Sequence, residues 1–272
     1  MHLADTTWPD VGDRLADDPV ALVPLGSTEQ HGPHLPEGTD HFIAEAFAHE
    51  AAARTDAVVT PTIPIGMSRH HRQFPGTLSA APAAFRGYVE SVTRSIADQG
   101  IDRIVYVNAH GGNVDHLREV GHTLRNEEVC YAIEWMWNES IPDLVEEVFD
   151  HPGPHGGPKE TALIQHLHPD LVREDRIEWA REDGLREVEQ SVGRVHGART
   201  FYDSIDNTAS GVLGDQREAS AEIGERLFEA ASDELVGLVE WLADQPFEDL
   251  LPHEFVRDRG DHADGSALDR DR

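Results

Sequence analysis

Lysine is all but missing from this chain: Lys159 stands alone against 21 arginines and 52 acidic residues in a length of 272. The formal charge is −30, spread along the whole sequence without gathering into an acidic tail. A chain so poor in basic residues offers no basic face, and nucleic acid is excluded as a partner because phosphate binding needs one. Self-repulsion of this size weakens folding at low salt, and concentrated salt screens it within a few ångströms. A salt-rich, archaeal cytoplasm is therefore the expected setting. Cysteine is reduced to Cys130 inside an apolar run. No intramolecular disulfide can form, which fits a reducing interior, and the residue reads as core filler. No apolar run approaches the ~18 residues of a membrane span. The opening MHLADTTWPDVGD lacks the basic start and apolar centre of a signal peptide. A cytoplasmic protein with no membrane partner is expected.

What is present alternates. Ala21–Leu25, Ala57–Pro61, Arg103–Asn108 and Glu128–Trp135 read as strands. Between and after them lie helical patterns from Thr39 or Asp40 to Arg54, Pro82 to Gln99, Asn113 to Arg125, and Lys159 to His168. RIVYVN at 103–108 is apolar on both faces, as a strand in a covered parallel sheet must be. Repeated strand–helix alternation predicts an α/β protein with a mainly parallel sheet covered on both faces. Farther on, Glu174–Glu189 reads as a charged helix, and Gly214-Asp215 as a turn opening a long helix to Ala243. With no repeat and no linker, one domain over 1–252 is expected, followed by a charged, frayed tail over 253–272.

The chemistry collects where strands hand over to helices, the edge at which open α/β sheets bind ligands. GSTEQHGPHLPEGTD, 26–40, packs Glu29, His31, His34, Glu37 and Asp40 into fifteen residues. So many carboxylates and imidazoles in one loop call for a divalent cation, and zinc, iron(II) and manganese all accept such ligands. Glu29 and His31, two apart in an extended loop, point the same way, and Asp40 can return at the helix start to bridge two ions. His110, in NAHGGN directly after the third strand, completes the expected ligands. HGGPKETAL, 155–163, offers Glu160 as ligand or general base and His155 as general acid or base. The loop GMSRHHRQFPGTLS, 66–79, carries Arg69 and His71 as candidate substrate-binding residues, since arginines can grip an anionic group. Trp135 is a candidate pocket wall.

At these loops the chain resembles the creatininase family of metal hydrolases. The matching pieces are PLGSTEQHGPHLPEGTD (24–40), HRQFPGT (71–77), VNAHGGN (107–113), HGGPKET (155–161), and GVLGD followed by AS-AEIG (211–224). The resemblance implies a three-layer α/β/α sandwich, a binuclear metal centre and a homohexamer. It carries over Glu29, His31, Asp40 and His110 as metal ligands, with Asp40 bridging, and sets His155 and Glu160 across the centre. One departure stands out. Creatininase itself has a metal-binding glutamate two residues after the third-strand histidine, where this chain has Gly112. Glu160 is the carboxylate available to replace it. The HGGN form is closer to other branches of the family, an archaeal formamidopyrimidine-ribotide deformylase and a peptide-trimming enzyme of mycofactocin maturation.

The expected reaction is hydrolysis of a small-molecule C–N amide by a water activated by two divalent cations. A formamide or small cyclic amide is the preferred substrate, with the deformylase favoured because arginines near residue 70 could hold a phosphate. A binuclear phosphoesterase and a non-catalytic oligomeric relative are the readings from other classes.

Overall fold

The protein is described by a computed structural model over residues 1–185, 194–196, 198–199 and 203–253. Four parallel strands form its main sheet: β1 (Ala21–Leu25), β2 (Val58–Val59), β3 (Arg103–Asn108) and β4 (Tyr131–Met136), in the order β2-β1-β3-β4. Helix α1 (Trp8–Leu15) precedes the sheet, and α2 (Thr39–Arg54), α3 (Pro82–Ala97) and α4 (Val114–Asn126) connect its strands. After β4 come α5 (Trp137–Ser140), α6 (Pro142–Val148), α7 (Pro158–Leu167), α8 (Ile177–Gly184), α9 (Ala221–Ala243) and α10 (Phe247–Leu250).

Alternation along each strand sorts the side chains into two cores. Leu22, Val105, Val107 and Trp135 face α2, α7 and α9, while Ala21, Val23, Ile104 and Tyr106 face α3 and α4. This is the expected three-layer α/β/α sandwich. Helix α2 is buried because it lies between the sheet and α9, and its alanines at 44, 48, 51 and 52 leave room for that neighbour. Helix α9 runs for 23 residues and is capped by Ser220, whose Oγ accepts from the Ile223 amide at 3.2 Å.

Register decides where the chemistry goes. Leu25 pairs with Asn108, and Asn108 with Met136. The chains leaving β1, β3 and β4 therefore leave side by side at the carboxyl edge, carrying the 26–40 loop, His110 and Trp137 with them.

Three element readings shift. Gly214-Asp215 opens a single 3-10 turn, Gln216–Glu218, with Asp215 accepting from the Arg217 amide, and the long helix starts only at Ala221. The stretch read as one helix from Glu174 is a 3-10 turn, Glu174–Arg176, followed by α8 to Gly184; its expected end, 186–189, lies outside the described residues. Strand β2 shortens to two residues, because beyond Val59 the chain pairs with β1 only at an isolated bridge, Ile63 to Leu25. The tail beyond 253 lies outside the described residues. Among those described, no helix is long and apolar enough to cross a membrane.

Candidate metal centre

Glu29, His31 and Asp40 are buried, and ligand atoms of the three lie within 4.8 Å of one another. Asp40 sits in the first turn of α2, which turns its carboxylate back over the loop. Its two oxygens face different partners: Oδ1 is 3.0 Å from His31 Nε2, and Oδ2 is 3.1 Å from His110 Nδ1. A carboxylate spread in this way has the shape needed to bridge two cations.

Glu29 meets three imidazoles. Its Oε1 lies 3.3 Å from His110 Nδ1, 3.4 Å from His71 Nε2 and 3.6 Å from His155 Nδ1. Yet both Glu29 oxygens and Asp40 Oδ2 are buried without a hydrogen-bond partner. The nitrogens stand 3.1–3.6 Å from these oxygens without making a hydrogen bond to them. Unpaired buried carboxylate oxygens cost several kcal/mol each unless something positive reaches them. Ligands about 2.0–2.2 Å from a tetrahedral zinc lie roughly 3.3 Å apart, and about 3 Å at an octahedral ion. The donor separations here fall in that range, so the residues fit a divalent metal.

The histidines are oriented for it. His31 Nδ1–H donates to the Glu29 carbonyl at 3.0 Å, His110 Nε2–H to the Met67 carbonyl at 3.2 Å, and His155 Nε2–H to the Gln30 carbonyl at 2.7 Å. Anchoring one ring nitrogen on a backbone carbonyl leaves the other facing the carboxylates, the usual arrangement behind a metal-ligating histidine. His34 instead donates from Nε2 to Thr161 Oγ1 at 2.8 Å, tying the loop to α7, and is structural.

The carboxylates favour the charged form of the two imidazoles that face Asp40. Burial disfavours charge on His31, but the Asp40 carboxylate and its hydrogen bond outweigh it and raise the pKa to about 10. Burial likewise opposes charge on His110, and Glu29 and Asp40 together hold it well above the usual range. Burial pushes the Glu29 carboxyl up, and neighbouring His110 more than offsets this, holding it well below the ordinary carboxylate value. His71 has weaker support: burial, reinforced by His155, drives it down to about 2. His155 is lowered as well, by burial and then by His31.

Glu160, in the first turn of α7, joins His31 and His155 in a second group of close ligand atoms, with Oε2 accepting from the Gly156 amide at 2.6 Å. Gly112 packs directly against His110. A Cβ there would overlap the Met67 carbonyl oxygen and His110 Nε2, so the position holds no side chain while His110 keeps its anchor.

A pocket of about 470 Å³ opens over these groups, lined by Glu29, Asp40, His71, His110, His155 and Glu160 among others. It is also lined by Gly211 and by Ser204, Asn207 and Thr208, the last three in a stretch that the sequence left without a role. Two expected substrate contacts fall elsewhere. Arg69 is exposed and does not line the pocket. Trp135 lies on the α2 face of the sheet, edge-to-face with Phe47 at 5.4 Å, and belongs to the core. Arg72, the other arginine of that loop, is spent on Asp203 at 2.8 Å.

The sequence profile described as "Creatininase: Creatinine amidohydrolase" matches residues 4–239. The chain belongs to the creatininase family. A mycofactocin precursor peptide peptidase of Mycolicibacterium smegmatis is 38% identical over 217 residues, covering 77% of this chain and 80% of its own. The creatinine amidohydrolase of Pseudomonas putida is 28% identical over 272 residues, covering 93% and 98%. A 2-amino-5-formylamino-6-ribosylaminopyrimidin-4(3H)-one 5'-monophosphate deformylase of Methanothermus fervidus is 25% identical over 229 residues, covering 82% and 84%. A creatininase solved with Mn superposes with a TM-score of 0.74 at 25% identity, covering 90% of this chain and 99% of its own.

Proposed function

We propose that this metal-dependent amidohydrolase holds two divalent cations and cleaves the C–N amide bond of a neutral or cationic substrate, a peptide end being the favoured class. The observation that carries the substrate class is the lining of the cleft. Among the described residues, neither the main pocket nor the adjoining chamber of about 370 Å³ is lined by arginine or lysine. The chamber shares Ala109, Gly111, Pro154 and Glu160 with the pocket and adds Asp115, Asn138 and Glu139. With Glu29, Asp40 and Glu160 given to the cations, Asp115 and Glu139 leave the adjoining chamber acidic, which suits an extended, uncharged or positively charged chain, and no arginine or lysine is there to hold a phosphate. The 38% identical relative, a peptide peptidase, supports the same class. The phosphorylated deformylase substrate loses its main support with Arg69 outside the pocket and Arg72 engaged by Asp203.

Glu29, His110 and Asp40 Oδ2 would hold one cation; Asp40 Oδ1, His31 and Glu160 would hold the other, so that Glu160 stands in for the carboxylate that Gly112 removes. Such a pair, when bound, supplies the positive charge that acidifies a water and polarises an amide carbonyl. The chain moves the protons. His155, anchored through Nε2–H on the Gln30 carbonyl, presents a bare Nδ1 that takes the proton of the attacking water and returns it to the departing nitrogen. The even spread of acid over a chain with one lysine supports a salt-rich interior as its working medium.

The test is a panel of short peptides, creatinine, and formamides with and without a phosphate, assayed in molar KCl with zinc or manganese. Turnover of unphosphorylated amides, peptides foremost, is expected. Turnover confined to the phosphorylated formamide would overturn the reading in favour of a deformylase, and release of inorganic phosphate would overturn it in favour of a phosphoesterase.

A further inference from the structure

His155 and His71 lie side by side in the pocket lining, ring centroids 4.1 Å apart and planes tilted by 31°, and Gln30 touches both. The Gln30 backbone carbonyl accepts the Nε2–H of His155 at 2.7 Å. The Gln30 side chain is held by two backbone groups: Oε1 accepts from the Gly32 amide at 2.8 Å, and Nε2 donates to the Gly211 carbonyl at 3.0 Å. These two partners allow only one orientation of the amide. Its remaining N–H faces two ring nitrogens, His71 Nδ1 at 2.7 Å and His155 Nε2 at 3.0 Å; the second already carries the proton it donates to the Gln30 carbonyl, so the amide hydrogen goes to His71. A ring nitrogen facing a donor must offer its lone pair, so the proton of a neutral His71 sits on Nε2. That N–H lines the pocket, 3.4 Å from Glu29 Oε1 and 3.5 Å from Ser204 Oγ.

We propose that Gln30 sets opposite tautomers on the two histidines, making His155 a proton acceptor through Nδ1 and His71 a neutral N–H donor to the substrate's carbonyl oxygen. His71 is then no metal ligand, although its Nε2 lies among ligand atoms of Glu29 and His155, because a protonated ring nitrogen cannot bind a cation. A neutral imidazole donor aimed at a developing oxyanion stabilises the transition state more than the bound substrate. The arrangement explains Gly211: its φ of +77°, and a Cβ there only 2.5 Å from the Gln30 amide, admit no side chain. The glycine of the GVLGD motif thus keeps Gln30 in place from across the cleft.

The inference rests on the amidohydrolase reading for its role in turnover, but the tautomers are measurable without any substrate. The experiment is a long-range proton–nitrogen spectrum of the full chain, labelled with 15N-histidine and loaded with diamagnetic zinc, with His71 assigned through His71→Gln. His71 is expected to show a protonated Nε2 and a bare Nδ1. His71→Gln is expected to keep its full metal content while kcat falls about 10²–10³-fold with KM changed less than threefold. Gln30→Glu replaces the amide donor by an acceptor, so His71 is expected to switch to the Nδ1–H form. His155, held by the backbone carbonyl, serves as the internal control and keeps its Nε2–H. A bare Nε2 on His71 in the wild type would overturn the proposal, as would loss of an ion from His71→Gln. A wild type inert towards every amide would sink the functional reading alone and leave the tautomer result standing.

Discussion

Replacing Asp40 by Asn keeps its shape and removes the charge on which two imidazoles depend. Asp40 is buried, with His31 Nε2 at 3.0 Å and His110 Nδ1 at 3.1 Å. The cost can be worked in two ways. Raising His31 from 6.5 to about 10 corresponds to about 4–5 kcal/mol at 1.36 kcal/mol per unit. Removing one partner of a buried ion pair typically costs about 3–5 kcal/mol. Both place Asp40→Asn about 4 kcal/mol below wild type near neutral pH, a drop on the order of 10 °C in Tm for a chain of this size. The sign with pH follows from the raised folded pKa. The contribution is complete below the unfolded value of 6.5 and is lost as pH rises through about 10. The gap between variant and wild type therefore closes on going from pH 7 to pH 11. Thermal melting in EDTA and molar KCl measures it; salt of that strength removes surface pairs but spares a buried one. A gap under 1 kcal/mol at pH 7, or one that widens with pH, would show that Asp40 does not hold the charge on His31.

The other perturbations are simpler. Glu160→Gln is expected to lose one ion per chain and at least 10²-fold in turnover; two retained ions would make Glu160 a base instead of a ligand. Arg69→Ala is expected to leave KM within twofold, since the side chain is exposed and off the pocket; a tenfold rise would return it to the substrate. Gly112→Ala is expected to destabilise the protein by about 1–3 kcal/mol and to weaken metal binding through His110, as read by melting and metal analysis. Below pH 6.5 the metal-free protein loses stability towards pH 2, because unfolded chains take up a proton at His71 that the buried ring, with its pKa near 2, refuses; acid titration of Tm, compared with His71→Gln, isolates that share.

Strands announced themselves where burial is two-sided. Ala21–Leu25 and Arg103–Asn108 are apolar on both faces, and their bounds match the sequence reading. The cluster of Glu29, His31, Asp40 and His110 was legible because carboxylates and imidazoles crowd into loops that parallel topology must bring to one edge. Trp135 misled because a strand's last residues give no sign of which face they take; it turns into the α2 core. Arg69 misled because a loop's composition says nothing of where each side chain points. Gln30 and Gly211 stood inside quoted motifs but received no role, for a different reason. Neither residue type advertises chemistry, and the pair meets only through a fold-back of 181 residues. The pocket wall at Ser204–Thr208 likewise lies in a stretch without periodicity, so nothing local marked it.

Anomalous diffraction from zinc-loaded crystals would locate the cations at the Asp40 carboxylate. Two peaks are expected on either side of the Asp40 carboxylate, one beside Glu29 and His110, the other beside His31 and Glu160. A single peak, or zinc bound away from Asp40, would contradict the account.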